Sequence, residues 1–325
     1  MRFVRAMAAG GAAVALTLAA GCGGTVSDPG NEPTTGGSGA ISVKTAKGPV
    51  KLDKPATKVV SLEWAYTEEL MALGVTPVGV AGPKKYADWV TAPGAQLPDG
   101  VTNVGTRQAP SIEKIRAIDP HLIVASTDRL SANYDQLRKI APVLAFEPTD
   151  NPPVRNMKRN FTELAKAVGK QDKANKVLAK LDAKVKEVKQ TLAEAGNDGA
   201  TFALAQGYTS GGAPGIRMFT GKSLAGALLE SAGLTNGWSG KPDDWGMTTV
   251  GVEALTQIDN DATFLYVAQQ NDDPFTGALA DNPVWQNLQF VAKDRVRALD
   301  PGTWLFGGPL SAIQLLDETA RAFSA

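Results

Sequence analysis

The chain is poor in two residues that many enzymes and metal centres use: its 325 residues include one cysteine and one histidine. A single cysteine excludes an intramolecular disulfide bond. The 33 basic and 33 acidic side chains leave no net charge. This balance argues against a nucleic acid as partner, because nucleic-acid-binding domains concentrate Lys and Arg. No segment beyond the first 20 residues is long and apolar enough to span a bilayer, which takes about 20 apolar residues.

Signatures of catalysis are also missing from the sequence. The one histidine, His121, lies in a predicted turn into a strand, where a structural role is expected. There is neither a G-x-S-x-G elbow nor an H-E-x-x-H motif. Residues 215–223 look like a phosphate-binding loop but place five residues between the glycines, where that motif has four. The acidic pairs at 243–244 and 272–273 lack calcium-loop spacing. We therefore expect neither an enzyme, a cofactor nor a protein-borne metal site.

What is present begins with an export signal. Two arginines precede an uncharged, alanine-rich run at 6–20, and small residues then lead to Cys22. This order is typical of a secretory signal. The lone cysteine after Leu-Ala-Ala-Gly resembles a bacterial lipobox, although Leu18 stands four places before it instead of three. We expect residues 1–21 to be removed and Cys22 to carry a lipid that holds the protein on the extracytoplasmic face of the cell membrane. An ordinary secreted protein with an unused thiol is the alternative.

The rest of the chain falls into four parts. Residues 22–40 are rich in Gly, Ser, Thr and Pro, which predicts a flexible tether. Beyond the tether, short β-branched runs alternate with helical periodicity, which favours parallel sheets covered by helices. The sequence predicts an α/β protein with an N-terminal lobe at 41–150, a connecting helix at 151–170 and a C-terminal lobe at 171–325. The cleft between two such lobes is the default ligand site.

Individual elements follow from the same patterns. Strands are predicted at 58–62, 77–81, 121–126, 142–146, 201–205, 262–267 and 296–299. Helices are predicted at 66–73, 112–118, 134–140, 154–168, 171–195, 223–232, 252–258 and 309–323.

Short motifs follow one another in order along residues 41–325. They are LEW at 62–64, EELMALG at 68–74, PVGVA at 77–81, VGTR at 104–107, PSIE at 110–113, IDPHLI at 118–123, IAPV at 140–143, WG at 245–246, VEAL at 252–255 and WLFGG at 304–308. This ordered set resembles the periplasmic or surface binding proteins of siderophore importers, which include ferric-citrate and ferric-hydroxamate binders. The resemblance implies two Rossmann-like lobes joined by a single long helix, the class III solute-binding-protein fold, and limited lobe closure on binding.

The resemblance also implies which side chains bind ligand. Ferric siderophores present chelating oxygens and a carbon skeleton, so guanidinium groups and aromatic walls suit them. Trp89 is expected at the rim of the cleft, whereas Trp238 and Trp285 are expected to be structural. The expected ligand-binding residues are Arg107, Arg129, Trp64, Trp245, Trp304, Phe306, Arg217 and Tyr86.

Two acids match another feature of the family. Glu113 and Glu253, one per lobe and each early in a short helix, match the positions that dock with arginines of the membrane permease. An acid favoured by the dipole of a helix N-terminus is the other interpretation of both residues. The two interpretations do not exclude each other.

The implied function is binding of an iron(III)–siderophore chelate, with the iron held by the siderophore, and delivery to an ABC importer by a monomeric protein. Two facing arginines favour an anionic, citrate-like chelate. Trp245, Trp304 and Phe306 favour a hydroxamate such as a desferrioxamine, and we expect the hydroxamate. The alternatives are a cobalamin or haem carrier, a surface lipoprotein hydrolase, and an adhesion or scaffolding lipoprotein.

Overall fold

The computed structural model describes residues 40–130 and 132–324 of the chain. The predicted signal peptide, most of the predicted tether and the predicted lipidation site at Cys22 lie outside the described residues. Among the helices described, none is long and apolar enough to cross a membrane.

The described elements alternate between strand and helix for much of the chain. The strands are β1 Ile41–Val43, β2 Val50–Leu52, β3 Val59–Ser61, β4 Gly79–Val80, β5 Thr102–Asn103, β6 Leu122–Ser126, β7 Val143–Phe146, β8 Thr201–Ser210, β9 Ala213–Phe219, β10 Thr235–Asn236, β11 Met247–Val250, β12 Thr263–Val267 and β13 Val296–Ala298. The α-helices are α1 Trp64–Ala72, α2 Pro83–Trp89, α3 Ile112–Ile118, α4 Thr127–Leu130, α5 Tyr134–Leu137, α6 Pro153–Ala167, α7 Gln171–Glu194, α8 Leu224–Ser231, α9 Pro283–Gln286, α10 Gln289–Ala292 and α11 Pro309–Ser324, and a 3-10 helix spans Val252–Gln257.

The first lobe is built on a five-stranded sheet in the order β5-β4-β3-β6-β7, and every pairing in it is parallel. Its interior strand β6 (LIVAS), which lies between β3 and β7, is buried along its whole length. Leu122 and Val124 pack into one core with helices α1 and α6, whereas Ile123 and Ala125 pack into a second core on the opposite face. A strand covered on both faces has to be apolar throughout, which is why this part of the sequence reads as unbroken hydrophobic runs.

The second lobe has a mixed sheet in the order β11-β9-β8-β12-β13, with β10 also paired to β8. Strands β8, β12 and β13 run parallel, whereas β8-β9 and β9-β11 are antiparallel. The sequence predicted a strand only at 201–205, but β8 extends to Ser210 and turns at Gly211-Gly212 into β9. Both turn glycines have a positive φ, at 58° and 81°, a conformation that other residues rarely adopt.

Helix α6 joins the two lobes. Met157 on this helix packs into the core of the second lobe, whereas Phe161 and Leu164 pack into the core of the first. The helix begins at Pro153, whose fixed φ suits the first helical turn, and Gly169 beyond its end has a φ of 65°. The predicted fold class, two α/β lobes joined by one long helix, is confirmed.

A buried carboxylate ties the lobes together beside this helix. Glu68 on α1 accepts hydrogen bonds from the backbone N–H groups of Gly308, Leu310 and Ser311 at 2.8–3.0 Å and from the Ser311 hydroxyl. These groups belong to the start of α11, so Glu68 satisfies donors that have no partner inside the helix. A Cβ at Gly307 would lie 2.4 Å from a Glu68 oxygen. The WLFGG motif therefore needs glycine here because the chain passes directly over α1.

Candidate functional site

A cleft of about 400 Å³ lies between the lobes, with α6 at its floor. The first lobe contributes residues that follow the carboxyl ends of its parallel strands: β3 leads to Glu63, β5 to Arg107 and β6 to Arg129. Such an edge is where ligands bind in α/β sheets. The second lobe contributes β9, the start of α8 and the segment 304–307. The residues that line the cleft are Glu63, Ala65, Tyr66, Glu69, Arg107, Gln108, Arg129, Pro148, Thr149, Pro153, Asn156, Met157, Asn160, Arg217, Phe219, Lys222, Ser223, Leu224, Asp244, Trp245, Met247, Trp304, Leu305, Phe306 and Gly307.

Both predicted arginines of the first lobe reach the cleft, and one carboxylate holds them together. Arg107 Nη1 donates to Glu63 Oε1 at 2.9 Å, and Arg129 Nε donates to Glu63 Oε2 at 3.1 Å. Glu63 also accepts from the backbone N–H of Trp64 at 2.7 Å, which orients it at the start of α1. Asp128 lies 3.5 Å from Arg129. The two positive charges therefore meet two negative ones, so neither guanidinium group is without an acidic partner.

Aromatic rings surround Arg107. Its guanidinium group lies 3.8 Å from the ring centre of Trp64 and 5.6 Å from that of Trp304, within the range of a cation–π contact. Trp64 is further fixed by a hydrogen bond from Nε1 to Ala81 O at 2.8 Å. Trp89, at the end of α2, contacts Trp304 with a ring separation of 5.9 Å. The guanidinium group of Arg107 and the indole rings around it form a wall at this end of the cleft.

The second lobe supplies a facing aromatic pair and a third arginine. Trp245 and Phe306 are half-buried and meet edge to face at 5.9 Å. Arg217 on β9 donates to Gln206 at 2.6 Å, and its guanidinium lies 5.9 Å from the Phe306 ring. Arg217 thus points toward the cleft, as predicted for it from the sequence.

A second cavity of about 320 Å³ adjoins the first. It shares Arg107, Gln108, Arg217 and Trp304 with the larger cleft and is otherwise lined by Trp64, Gly82, Lys85, Trp89, Thr106, Gln206 and Tyr208. The two cavities together provide an elongated space with rings and guanidinium groups along its middle.

Tyr86 is not part of this surface. Helix α2, Pro83–Trp89, was not predicted from the sequence, and it turns Tyr86 inward. The Tyr86 ring is fully buried and its hydroxyl donates to Ala95 O at 2.7 Å. The prediction that Tyr86 is part of the ligand-binding surface is therefore wrong, and the ring instead packs edge to face behind Trp64. Trp238 and Trp285 are buried in the second lobe, which confirms their structural role.

Glu113 and Glu253 are both exposed and both lie in the first turn of a short helix. The helix of Glu113 is capped by Ser111, whose hydroxyl accepts from Lys114 N at 3.3 Å. Exposure is compatible with both interpretations of these acids, and their docking role stays a prediction.

The floor of the cleft is polar, and the sequence did not indicate it. Tyr66 and Glu69 on α1 and Asn156 and Asn160 on α6 line it. Burial, then the nearby charge of Glu69, raises the pKa of the Tyr66 hydroxyl well above its usual range. Burial, then the charge of Glu68, raises the pKa of the Glu69 carboxyl well above its usual range. Burial therefore favours the uncharged form of both Tyr66 and Glu69.

The described residues contain no cluster of three or more His, Cys, Asp or Glu side chains placed to hold a metal ion. What the site offers is guanidinium groups, indole and phenyl rings, and neutral polar groups. A cleft of this kind between two α/β lobes defines a binding protein for a small solute.

Known proteins similar to this chain belong to the same class of solute-binding proteins. The family model described as "Periplasmic binding protein" matches residues 59–303, and the chain belongs to that family. The chain is 28% identical over 260 residues to the iron(3+)-hydroxamate-binding protein FhuD of Escherichia coli, covering 80% of this chain and 84% of that protein. It is 26% identical over 291 residues to the Fe(3+)-citrate-binding protein YfmC of Bacillus subtilis, covering 90% and 88%.

Among solved structures, the siderophore-binding protein FhuD of Vibrio cholerae bound to Fe3+-Desferal superposes with a TM-score of 0.74 at 25% identity. The superposition covers 83% of this chain and 98% of that one. This likeness confirms the class III fold that the sequence motifs implied.

Proposed function

We propose that this protein binds an iron(III)–siderophore chelate of the hydroxamate type in the cleft between its lobes and delivers it to an ABC importer. The observation that carries the proposal is the aromatic-walled cleft around Arg107, in which Glu63 pairs with Arg107 and Arg129. The siderophore brings all the iron ligands, which fits the set of side chains found there.

The pairing of charges supports a hydroxamate over citrate. Ferric citrate is strongly anionic and needs unpaired cations, because buried or half-buried negative charge without a partner is costly. Here Glu63 pairs with both Arg107 and Arg129, and Asp128 lies beside Arg129. A chelate of low net charge avoids displacing these pairs and still meets guanidinium N–H groups at its oxygens.

The aromatic rings of the cleft also favour a hydroxamate over citrate. Trp64, Trp304, Phe306 and Trp245 form a continuous series of ring contacts with centres 5.0–5.9 Å apart. The methylene chains of a hydroxamate siderophore offer apolar surface to such a wall, and burying it contributes about 25 cal/mol per Å². The relatives do not decide between ligands, since one carries the name of a hydroxamate binder and another that of a citrate binder.

The proposal also covers how the chelate reaches the importer and where the protein is held. We propose that Glu113 and Glu253 dock with the permease, and that a lipid on Cys22 keeps the monomer on the extracytoplasmic face of the membrane. The two exposed acids, one in each lobe, support the first part. The sequence pattern around Cys22 supports the second part.

The experiment is a fluorescence titration of the purified protein, in which Trp64, Trp245 and Trp304 report on the cleft. Ferric desferrioxamine, ferric citrate and iron-free desferrioxamine are compared. Saturable quenching by ferric desferrioxamine at lower concentration than by the other two supports the proposal. Preference for ferric citrate would refute the hydroxamate assignment, and the absence of quenching by any chelate would refute siderophore binding.

A further inference from the structure

Glu69 has a place in the cleft that neither the family resemblance nor the arginines and rings account for. Helix α1 presents Ala65, Tyr66 and Glu69 on one face, as its period of 3.6 residues requires, and all three line the cleft. The carboxyl therefore lies at the floor of the cleft, next to the segment 304–308. A Cβ at Gly308 would be 2.8 Å from Glu69 Cγ, so this glycine is what allows the glutamate to fit.

The carboxyl of Glu69 lacks a partner within the part of the chain that the structure describes. Its residue is 1% exposed, and Oε2 has no hydrogen-bond donor or acceptor among the described residues. The neighbouring Glu68 shows the contrast, because four donors at the start of α11 satisfy it. Leaving a buried polar atom without a partner costs about 1–3 kcal/mol. Because Glu69 lines the cleft, a bound ligand can supply the hydrogen-bond partner that this oxygen lacks.

The surroundings of Glu69 decide what kind of group it can bind. The cleft-lining residues of α6 and of the segment 304–307 carry no charge, and Tyr66 beside it is neutral. Burial, and then the charge of Glu68, raises the pKa of Glu69 well above its usual range. A buried carboxyl oxygen without a partner favours the protonated form of the group. A protonated carboxyl has an O–H to donate. The charged side chains that line the cleft are Glu63, Arg107, Arg129, Arg217, Lys222 and Asp244.

We propose that Glu69 is a ligand-binding residue that donates a hydrogen bond from its carboxyl group to an uncharged oxygen of the chelate, such as an amide or hydroxamate carbonyl. This inference rests on the proposed function, because it assumes that a chelate occupies the cleft.

The test compares Glu69→Leu and Glu69→Gln with the unaltered protein, using ferric desferrioxamine B and its N-acetyl derivative, which lacks the ammonium group. Glu194→Gln, an exposed position at the end of α7, serves as the matched control. We expect Glu69→Leu to weaken binding of both chelates about three- to tenfold, the worth of one hydrogen bond, and Glu69→Gln, whose amide still donates, to stay within about twofold. Raising the pH should weaken binding by the unaltered protein relative to Glu69→Gln, because ionisation removes the donor.

The outcomes separate the inference from the function on which it rests. Binding by Glu69→Leu equal to that of the unaltered protein would overturn the inference and leave the proposed function standing. If Glu69→Gln binds as weakly as Glu69→Leu and loses a preference for the ammonium-bearing chelate, Glu69 acts as a carboxylate toward a cation and the inference is wrong. If the unaltered protein binds neither chelate, the proposed function fails and the inference fails with it.

Discussion

Replacing Glu63 with glutamine removes the negative charge that holds Arg107 and Arg129, while leaving an oxygen to accept from the Trp64 N–H. A ligand oxygen that contacts the same guanidinium groups lies about 6 Å from the Glu63 carboxylate. At an effective dielectric constant of about 20, one unit charge at that distance contributes about 3 kcal/mol. The arginine side chains are 18% and 24% exposed, so solvent and salt reduce this figure. We expect ferric citrate to bind at least about tenfold more tightly to Glu63→Gln.

The assay is a titration with ferric citrate and with N-acetylated ferric desferrioxamine B at low and high salt, with Glu194→Gln as the control for a change of charge elsewhere. Glu63→Gln should change the affinity for the neutral hydroxamate little, and added salt should reduce the increase in affinity for ferric citrate. An unchanged ratio of the two affinities would refute the argument that Glu63 sets the charge preference of the cleft. Equal gains for both chelates would refute it as well, because charge cannot act on a neutral ligand.

Four further predictions follow from other parts of the molecule. Trp245→Ala should weaken hydroxamate binding by about 1–2 kcal/mol, measured by calorimetry. Glu68→Ala should lower the free energy of unfolding by about 2–4 kcal/mol, because four donors lose their acceptor, measured by urea denaturation. Glu113→Ala combined with Glu253→Ala should leave chelate binding unchanged but slow iron uptake by cells. The folded-state pKa of Glu69 is raised, so its contribution to stability is lost as pH rises, and Glu69→Leu should gain stability relative to the unaltered protein as the pH rises from the ordinary pKa of a glutamate toward neutrality. A constant difference across that range would contradict the last prediction.

Local pattern was enough to predict most of the fold. The helical pattern at 154–168 lies within one residue of the observed α6, Pro153–Ala167, because its apolar period is strong and Gly169 ends it, whereas the wider bounds of 151–170 given to the connecting segment include residues outside the helix. The β8–β9 hairpin was missed beyond residue 205, since glycines and a proline at 207–215 interrupt the alternation that identifies a strand. Helix α2 was missed because it is short and starts at Pro83, directly after Gly82 in a left-handed conformation.

The site was predictable where the family resemblance implied a position and the residue type suited the ligand. Arg107, Arg129 and Trp304 all line the cleft. The part played by Glu63 was not predictable, because its partners are 44 and 66 residues away along the chain. The burial of Glu69 could not be predicted from the local sequence either, since an acid on a helix is usually solvent-exposed. Glu69 is buried because the segment at Gly308 passes over α1.

The most direct test of the account is a crystal structure of the protein with ferric desferrioxamine. The account predicts one iron per molecule in the cleft between the lobes, with siderophore carbonyl oxygens facing Arg107, methylene chains against Trp304 and Trp245, and the Glu63–Arg107 contact intact. A cleft without the chelate at saturating concentration, or a chelate bound only outside it, would contradict the account.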